Sequence, residues 1–180
     1  MRRRPIQALF LALLVLCVGA LSACGSEEEG PAIEGEPLEL GELIYNVQIT
    51  RFLNADNLED ANYLEGQPPA PEGTEYLAVF LRVDNDGEET ETLPDSFVVR
   101  DTRDETFEAI ESDSPFALQF GAEIEPEGTY PPLDTPARSG PIKGSMLLFA
   151  LPDTATENRP LELEIPGPEG DEDGVVELDL

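Results

Sequence analysis

The chain has 180 residues, with 39 Asp and Glu against 10 Lys and Arg, no His, no Trp and a formal charge of −29. So negative a chain argues against nucleic acid and anionic membrane surfaces as partners. The missing histidines exclude Ser-His-Asp and Cys-His catalysis, and with them His/Cys zinc sites and Met/His copper sites.

The N-terminus carries Arg2, Arg3 and Arg4, followed by an apolar run from Ala8 to Val18. That run is too short to cross a hydrocarbon core, which needs about 20 apolar residues. Leu21-Ser22-Ala23-Cys24 then places two small residues before a thiol. The pattern resembles bacterial lipoprotein precursors, in which such a cysteine is acylated and becomes the mature N-terminus. It implies a signal peptide over 1–23, with Leu21, Ser22 and Ala23 as the lipobox and Cys24 as the lipidated residue. The membrane is then a partner through that lipid, and the chain is held at the extracytoplasmic face of the cell membrane. An ordinary secretory signal or an uncleaved anchor helix is the competing reading, and Cys17 is no rival because bulky Leu16 precedes it.

From Cys24 onward the chain keeps all 39 acids and seven bases, a formal charge of 7 − 39 = −32. Acylation of Cys24 leaves it no free thiol, hence neither a disulfide nor a thiolate site. Residues 24–40 are acidic and rich in Gly and Pro, and read as a solvated, disordered tether. A single domain over 41–180 is the expectation that follows.

Short apolar runs between Gly, Pro, Asp and Asn clusters make this domain all-β. Leu43 to Leu53 alternates, placing Leu43, Tyr45, Val47 and Ile49 on one face. Asn54 to Gly73 is a polar excursion ending in Gln67-Pro68-Pro69-Ala70-Pro71, with no regular element expected. Tyr76 to Val83 is apolar on both faces until Arg82, the mark of a central strand. Asp84-Asn85-Asp86-Gly87 is a turn in which Gly87 can take positive φ. Ser96 to Arg100 and Thr106 to Ile110 form a hairpin. Phe116 to Phe120 reads either as a strand or as a helical turn, and Glu125 to Pro141 as a loop. Ser145 to Leu151, Leu161 to Ile165 and Val175 to Leu180 are the last strands. No stretch after the signal carries a helical stripe. Seven or eight strands in one domain imply an antiparallel β-sandwich of Ig-like kind.

Three segments carry a wider resemblance. Glu75 to Glu89 resembles the central strand and turn of a family of bacterial extracytoplasmic domains of unknown function. Pro94 to Asp101 resembles that family's next strand, and Lys143 to Pro152 its late strand. The family is similar to secreted mycobacterial immunoprotective antigens and has an Ig-like sandwich. The resemblance spans roughly Gly41 to Leu180 and departs from the family at the Pro-rich excursion and at Ser139-Gly140-Pro141. It implies a fold but no catalytic residues. Many members are lipoproteins.

Candidate chemistry is sparse. Glu169-Gly170-Asp171-Glu172-Asp173-Gly174 resembles half of an EF-hand loop, but its twelfth position is Leu180, not Glu. Asp134-Thr135-Pro136 resembles an aspartic-protease motif with Pro in place of Gly, and reads as a loop. Paired carboxylates could serve glycoside hydrolysis, yet chance proximity among so many acids explains such pairs equally well. Tyr45 and Tyr76 read as core, while Tyr63 and Tyr130 lie in long loops, where packing competes with a contact to a partner. Catalytic residues, metal ligands and cofactors are therefore expected to be none. The leading expectation is a non-enzymatic, lipid-anchored surface module binding a protein or envelope component. The alternative is an acidic module that responds to calcium or salt.

Overall fold

The computed structural model describes residues 30–180. Two sheets enclose one apolar core. The first contains β1 (Ala32–Ile33), β12 (Gly174–Leu178), β11 (Leu161–Ile165), β6 (Val98–Arg100) and β7 (Thr106–Glu108), paired in that order. The second contains β10 (Ser145–Pro152), β4 (Thr74–Asn85), β3 (Leu43–Leu53) and β2 (Pro37–Leu40), with β9 (Thr129–Tyr130) also paired to β4. A separate short ladder joins β5 (Glu91–Thr92) to β8 (Glu123–Ile124). The β1–β12 pairing is parallel. The other strand pairings named here are antiparallel.

Leu161, Leu163 and Ile165 of the first sheet face Leu77, Val79 and Leu81 of the second within one buried cluster. The period-two alternation of β11 produces this directly, because its glutamates stay half-exposed while its aliphatics are sealed. The molecule is an all-β sandwich. It has twelve strands among the described residues, more than the seven or eight expected, because strands of two or three residues carry no readable period.

β3 holds a bulge that overturns one expectation. Its register on β4 shifts between Val47, opposite Leu81, and Ile49, opposite Phe80. The extra residue reverses the parity of the strand. Leu43, Tyr45 and Val47 point into the sandwich core, but beyond the bulge Phe52 packs there instead, and Ile49 is exposed.

The outer face of the second sheet is also covered. Tyr76, Ala78 and Phe80 of β4 join Met146 and Leu148 of β10 in a second apolar cluster. Its roof is the 54–73 excursion, which contains the helix α1 (Leu58–Tyr63), where none was expected. Asn57 caps it by accepting from Glu59 N at 3.0 Å, offsetting a sequence that lacks an apolar stripe. Tyr63 meets Phe80 and Phe116 edge-on, with ring centroids 5.0 and 4.8 Å away. Phe116–Phe120 is neither strand nor helix. It makes an isolated bridge from Ala117 to Met146 and covers the free edge of β10.

The folded unit begins at Pro31, so residues 32–40, expected as tether, belong to the sandwich, while 24–29 lie outside the described residues. Residues 32–40 pack Ala32, Leu38 and Leu40 against the core and stitch the sheets together. Glu34 N donates to Glu177 O, and the Glu34 carboxylate accepts from Thr50 N at 3.2 Å and Asp179 N at 3.3 Å. Gly35 turns the chain between β1 and β2 at φ +92°, a conformation that favours glycine. Gly87 does not use positive φ. It is needed for space, since a Cβ there would lie 2.9 Å from Glu42 Cβ. The 125–141 segment is not wholly loop, for it contains β9 and the short helix α2 (Pro136–Ser139). A third short helix, α3 (Asp153–Thr156), follows β10. No helix among the described residues is long and apolar enough to cross a membrane.

Candidate functional site

Leu21, Ser22, Ala23 and Cys24 lie outside the described residues. The tyrosines are all buried. Tyr45 and Tyr76 are core residues, and Tyr76 donates to Pro68 O at 3.1 Å. Burial and, behind it, the charge of Glu91 push the Tyr45 hydroxyl far up from its usual range. Tyr63 is 4% exposed and Tyr130 is 8% exposed, so both pack and neither offers a loop-borne contact. The Tyr130 hydroxyl accepts from Gln119 N at 3.2 Å.

The acidic motifs are turns. Asp173 accepts from Gly167 N at 3.1 Å, closing the loop between β11 and β12. Asn85 organises the 84–87 turn. Its amide donates to Ile124 O and Glu89 O, and its carbonyl accepts from Gly87 N at 2.9 Å. Thr135 lies at the start of α2, with its hydroxyl donating to Pro132 O at 2.7 Å. Among the described residues no group of three His, Cys, Asp or Glu is placed to hold a metal ion.

The feature that sequence reasoning missed is a basic cleft of about 210 Å³ lined by Gln48, Arg82, Pro131, Arg138, Lys143 and Gly144. Five pieces of the fold build it. Arg82 stands on the outer face of β4, beyond the apolar roof, and Gln48 comes from the β3 bulge. Pro131 follows β9, Arg138 lies on α2, and Lys143-Gly144 leads into β10. The wall is held in place by Gly144 N donating to Ala137 O at 3.0 Å. A Cβ on Gly144 would lie 3.1 Å from the backbone N and O of Leu81, so glycine permits this close approach. Arg82 is paired with Asp84 through two bonds, of 3.1 and 2.6 Å. Arg138 donates to Thr129 Oγ1 at 3.2 Å. Among the described residues neither Arg138 nor Lys143 has a carboxylate within 4.0 Å. The sequence signal was faint: Lys143 is the only lysine, and Arg82 interrupts the most apolar strand.

Two other clefts are less distinctive. One, of about 430 Å³, lies between the β1 region and the last strand, with Arg159 and Glu177 in its wall. Another, of about 240 Å³, is edged by Tyr45, Pro94, Pro166 and Pro168.

No protein-family model matches the chain, and no curated protein does. Solved structures do resemble it. YcdA of Bacillus subtilis, a candidate lipoprotein, shares 14% identity at a TM-score of 0.52, over 84% of this chain and 39% of that one. A functionally unknown protein of Listeria monocytogenes shares 8% identity at a TM-score of 0.50, over 83% of this chain and 84% of that one. An uncharacterized β-sandwich protein of Clostridium difficile shares 12% identity at a TM-score of 0.49, over 86% and 99%. At such identities the likeness extends to the fold alone: residues 31–180 make an all-β sandwich of a kind that other bacterial proteins also use.

Proposed function

We propose that this chain is a lipid-anchored, non-catalytic module of Ig-like kind at the extracytoplasmic face of the cell membrane, acting by binding a protein or envelope component. The observation that carries the reading is Leu21-Ser22-Ala23-Cys24 behind a short apolar run and three arginines. The absence of His, and of a thiol once Cys24 is acylated, supports a binding role over catalysis. Two sheets packed over one core support the Ig-like reading, and the likeness to secreted mycobacterial antigens rests on the resemblance of Glu75–Glu89, Pro94–Asp101 and Lys143–Pro152 alone. On this reading seven peptide steps separate Cys24 from Pro31, where the folded unit begins, a reach of at most roughly 25 Å at ~3.5 Å each.

Metabolic labelling with a clickable fatty acid tests the anchor. Label should appear on the wild-type protein and vanish in Cys24→Ser, and label retained in the variant refutes the assignment. Crosslinking in intact cells tests the partner. A defined envelope species captured by the wild type and lost in Cys24→Ser supports the reading, whereas no species above background counts against it.

A further inference from the structure

We propose that the cleft of Arg82, Arg138 and Lys143 binds a phosphoryl group, free or carried on a small molecule. The inference is independent of the lipid anchor. Only seven basic side chains follow Cys24, and three of them line this one cleft. Of the other four, Arg51 is paired with Asp60 and Arg100 with Glu164 and Asp104, Arg159 shares its cleft with Glu34, Glu177 and Asp179, and Arg103 makes no ion pair among the described residues. What sets this cleft apart in a chain this acidic is that three basic side chains line it together and no acid does. Two of them, Arg138 and Lys143, have no carboxylate partner among the described residues, and the third, Arg82, is paired with Asp84. Gathering like charges is unfavourable unless a counter-charge joins them.

The charge and size select the ligand. Three cations less the Asp84 carboxylate leave 3 − 1 = +2, which matches a phosphate dianion and leaves a carboxylate one charge short. The Lys143 ammonium brings three N–H donors, and each arginine retains guanidinium N–H groups beyond those bonded to Asp84 and Thr129. At about 210 Å³ the cleft falls below the ~300–1,000 Å³ of drug-sized sites, which favours a small anion over a nucleotide. Its walls are pre-formed by β4, the bonded Ala137–Gly144 pair and buried Pro131, so little ordering opposes binding.

The test uses the full chain in non-ionic detergent. Inorganic phosphate, glycerol 1-phosphate, acetate and chloride are titrated at constant ionic strength, and vesicles containing phosphatidic acid form a separate arm. The readout is NMR shifts of the Gly144 amide and the arginine Nε–H groups. Phosphate should saturate, and acetate should bind about tenfold more weakly, as the loss of one charge-assisted contact implies. Lys143→Gln and Arg138→Gln should each weaken phosphate about tenfold, while Arg103→Gln, outside the cleft, should leave it unchanged. Should Arg138→Gln fail to fold, Lys143→Gln alone decides, since Lys143 makes no side-chain hydrogen bond or ion pair among the described residues. Saturation by the soluble phosphates identifies a free or small-molecule ligand, and saturation by vesicles alone identifies a lipid headgroup as the source. Linear shifts in every arm, equal responses to phosphate and acetate, or undiminished phosphate binding in Lys143→Gln would overturn the proposal.

Discussion

Arg51 and Asp60 meet at 2.6 Å, and the Asp60 side chain is only 2% exposed. The second Asp60 oxygen accepts from Asn54 N at 3.0 Å. A single carboxylate thus fastens α1 and the start of the excursion to the end of β3. Removing it strands a guanidinium and a backbone N–H. Asp60→Ala should lower the unfolding free energy by about 2–4 kcal/mol, the size seen when one partner of a largely buried pair is deleted. Urea denaturation checks the magnitude. Hydrogen exchange should quicken first across residues 54–64, and uniform quickening would count against this account.

Tyr63 offers a second check on the excursion. Its ring is wedged edge-on between Phe80 and Phe116 over the outer face of the second sheet. Tyr63→Ala should cost about 3–5 kcal/mol, as large-to-small changes in aromatic cores do. The same substitution distinguishes packing from partner binding. A variant with wild-type stability but lost capture would restore the contact reading that burial argues against.

Thr50 carries the opposite sign. It is 6% exposed, and its hydroxyl is buried without a hydrogen-bond partner. The bulge is responsible, because it turns Thr50 to the face that Val47 and Phe52 share. Thr50→Val keeps the shape and removes an unsatisfied polar group, so it should stabilise by about 1 kcal/mol in denaturant unfolding. A loss of stability would show that the hydroxyl is satisfied in solution.

Asp101 sets a pH dependence. Burial alone would raise its carboxyl, but the N–H groups of Arg103 and Glu105 and the Asn158 amide outweigh that and hold it below its ordinary 3.8. A carboxyl lowered by folding contributes stability above its unfolded value, and that contribution fades as pH falls through the folded one. Wild type should therefore exceed Asp101→Asn by a constant margin at neutral pH, with the gap closing only below 3.8. Urea midpoints for both proteins from neutral pH downward decide it, and a margin that grows with acidity would contradict the sign.

The charge of −29 predicts self-repulsion in the folded state. Raising NaCl from about 0.01 to 0.15 M shortens the screening length from roughly 30 to 8 Å, so the melting temperature should rise. Calcium at matched ionic strength should add nothing further. A calcium-specific rise would favour the cation-responsive reading instead.

The sequence by itself determined where the long strands lie. β3 occupies the predicted residues, and β4, β10 and β11 fall where alternation or unbroken apolarity placed them. Those signals are local, since a pleated strand buried on one or both faces must show it within its own few residues. It also carries Leu21-Ser22-Ala23-Cys24, the pattern on which the proposed anchor rests, and that pattern is read from neighbouring residues alone. Only the tertiary structure decided the rest. Whether the bulge in β3 falls at Gln48 depends on the register of β4, and that register sends Ile49 outward and Thr50 inward. The acidic, Gly- and Pro-containing 32–40 stretch looked like tether because its place is set by bonds to Val47, Thr50 and Glu177 and by core contacts of Ala32, Leu38 and Leu40, which composition does not record. The cleft follows the same logic. Arg82 and Lys143 stand far apart in the chain, and a cluster of charges becomes visible only when β4 and β10 pair and α2 closes over them.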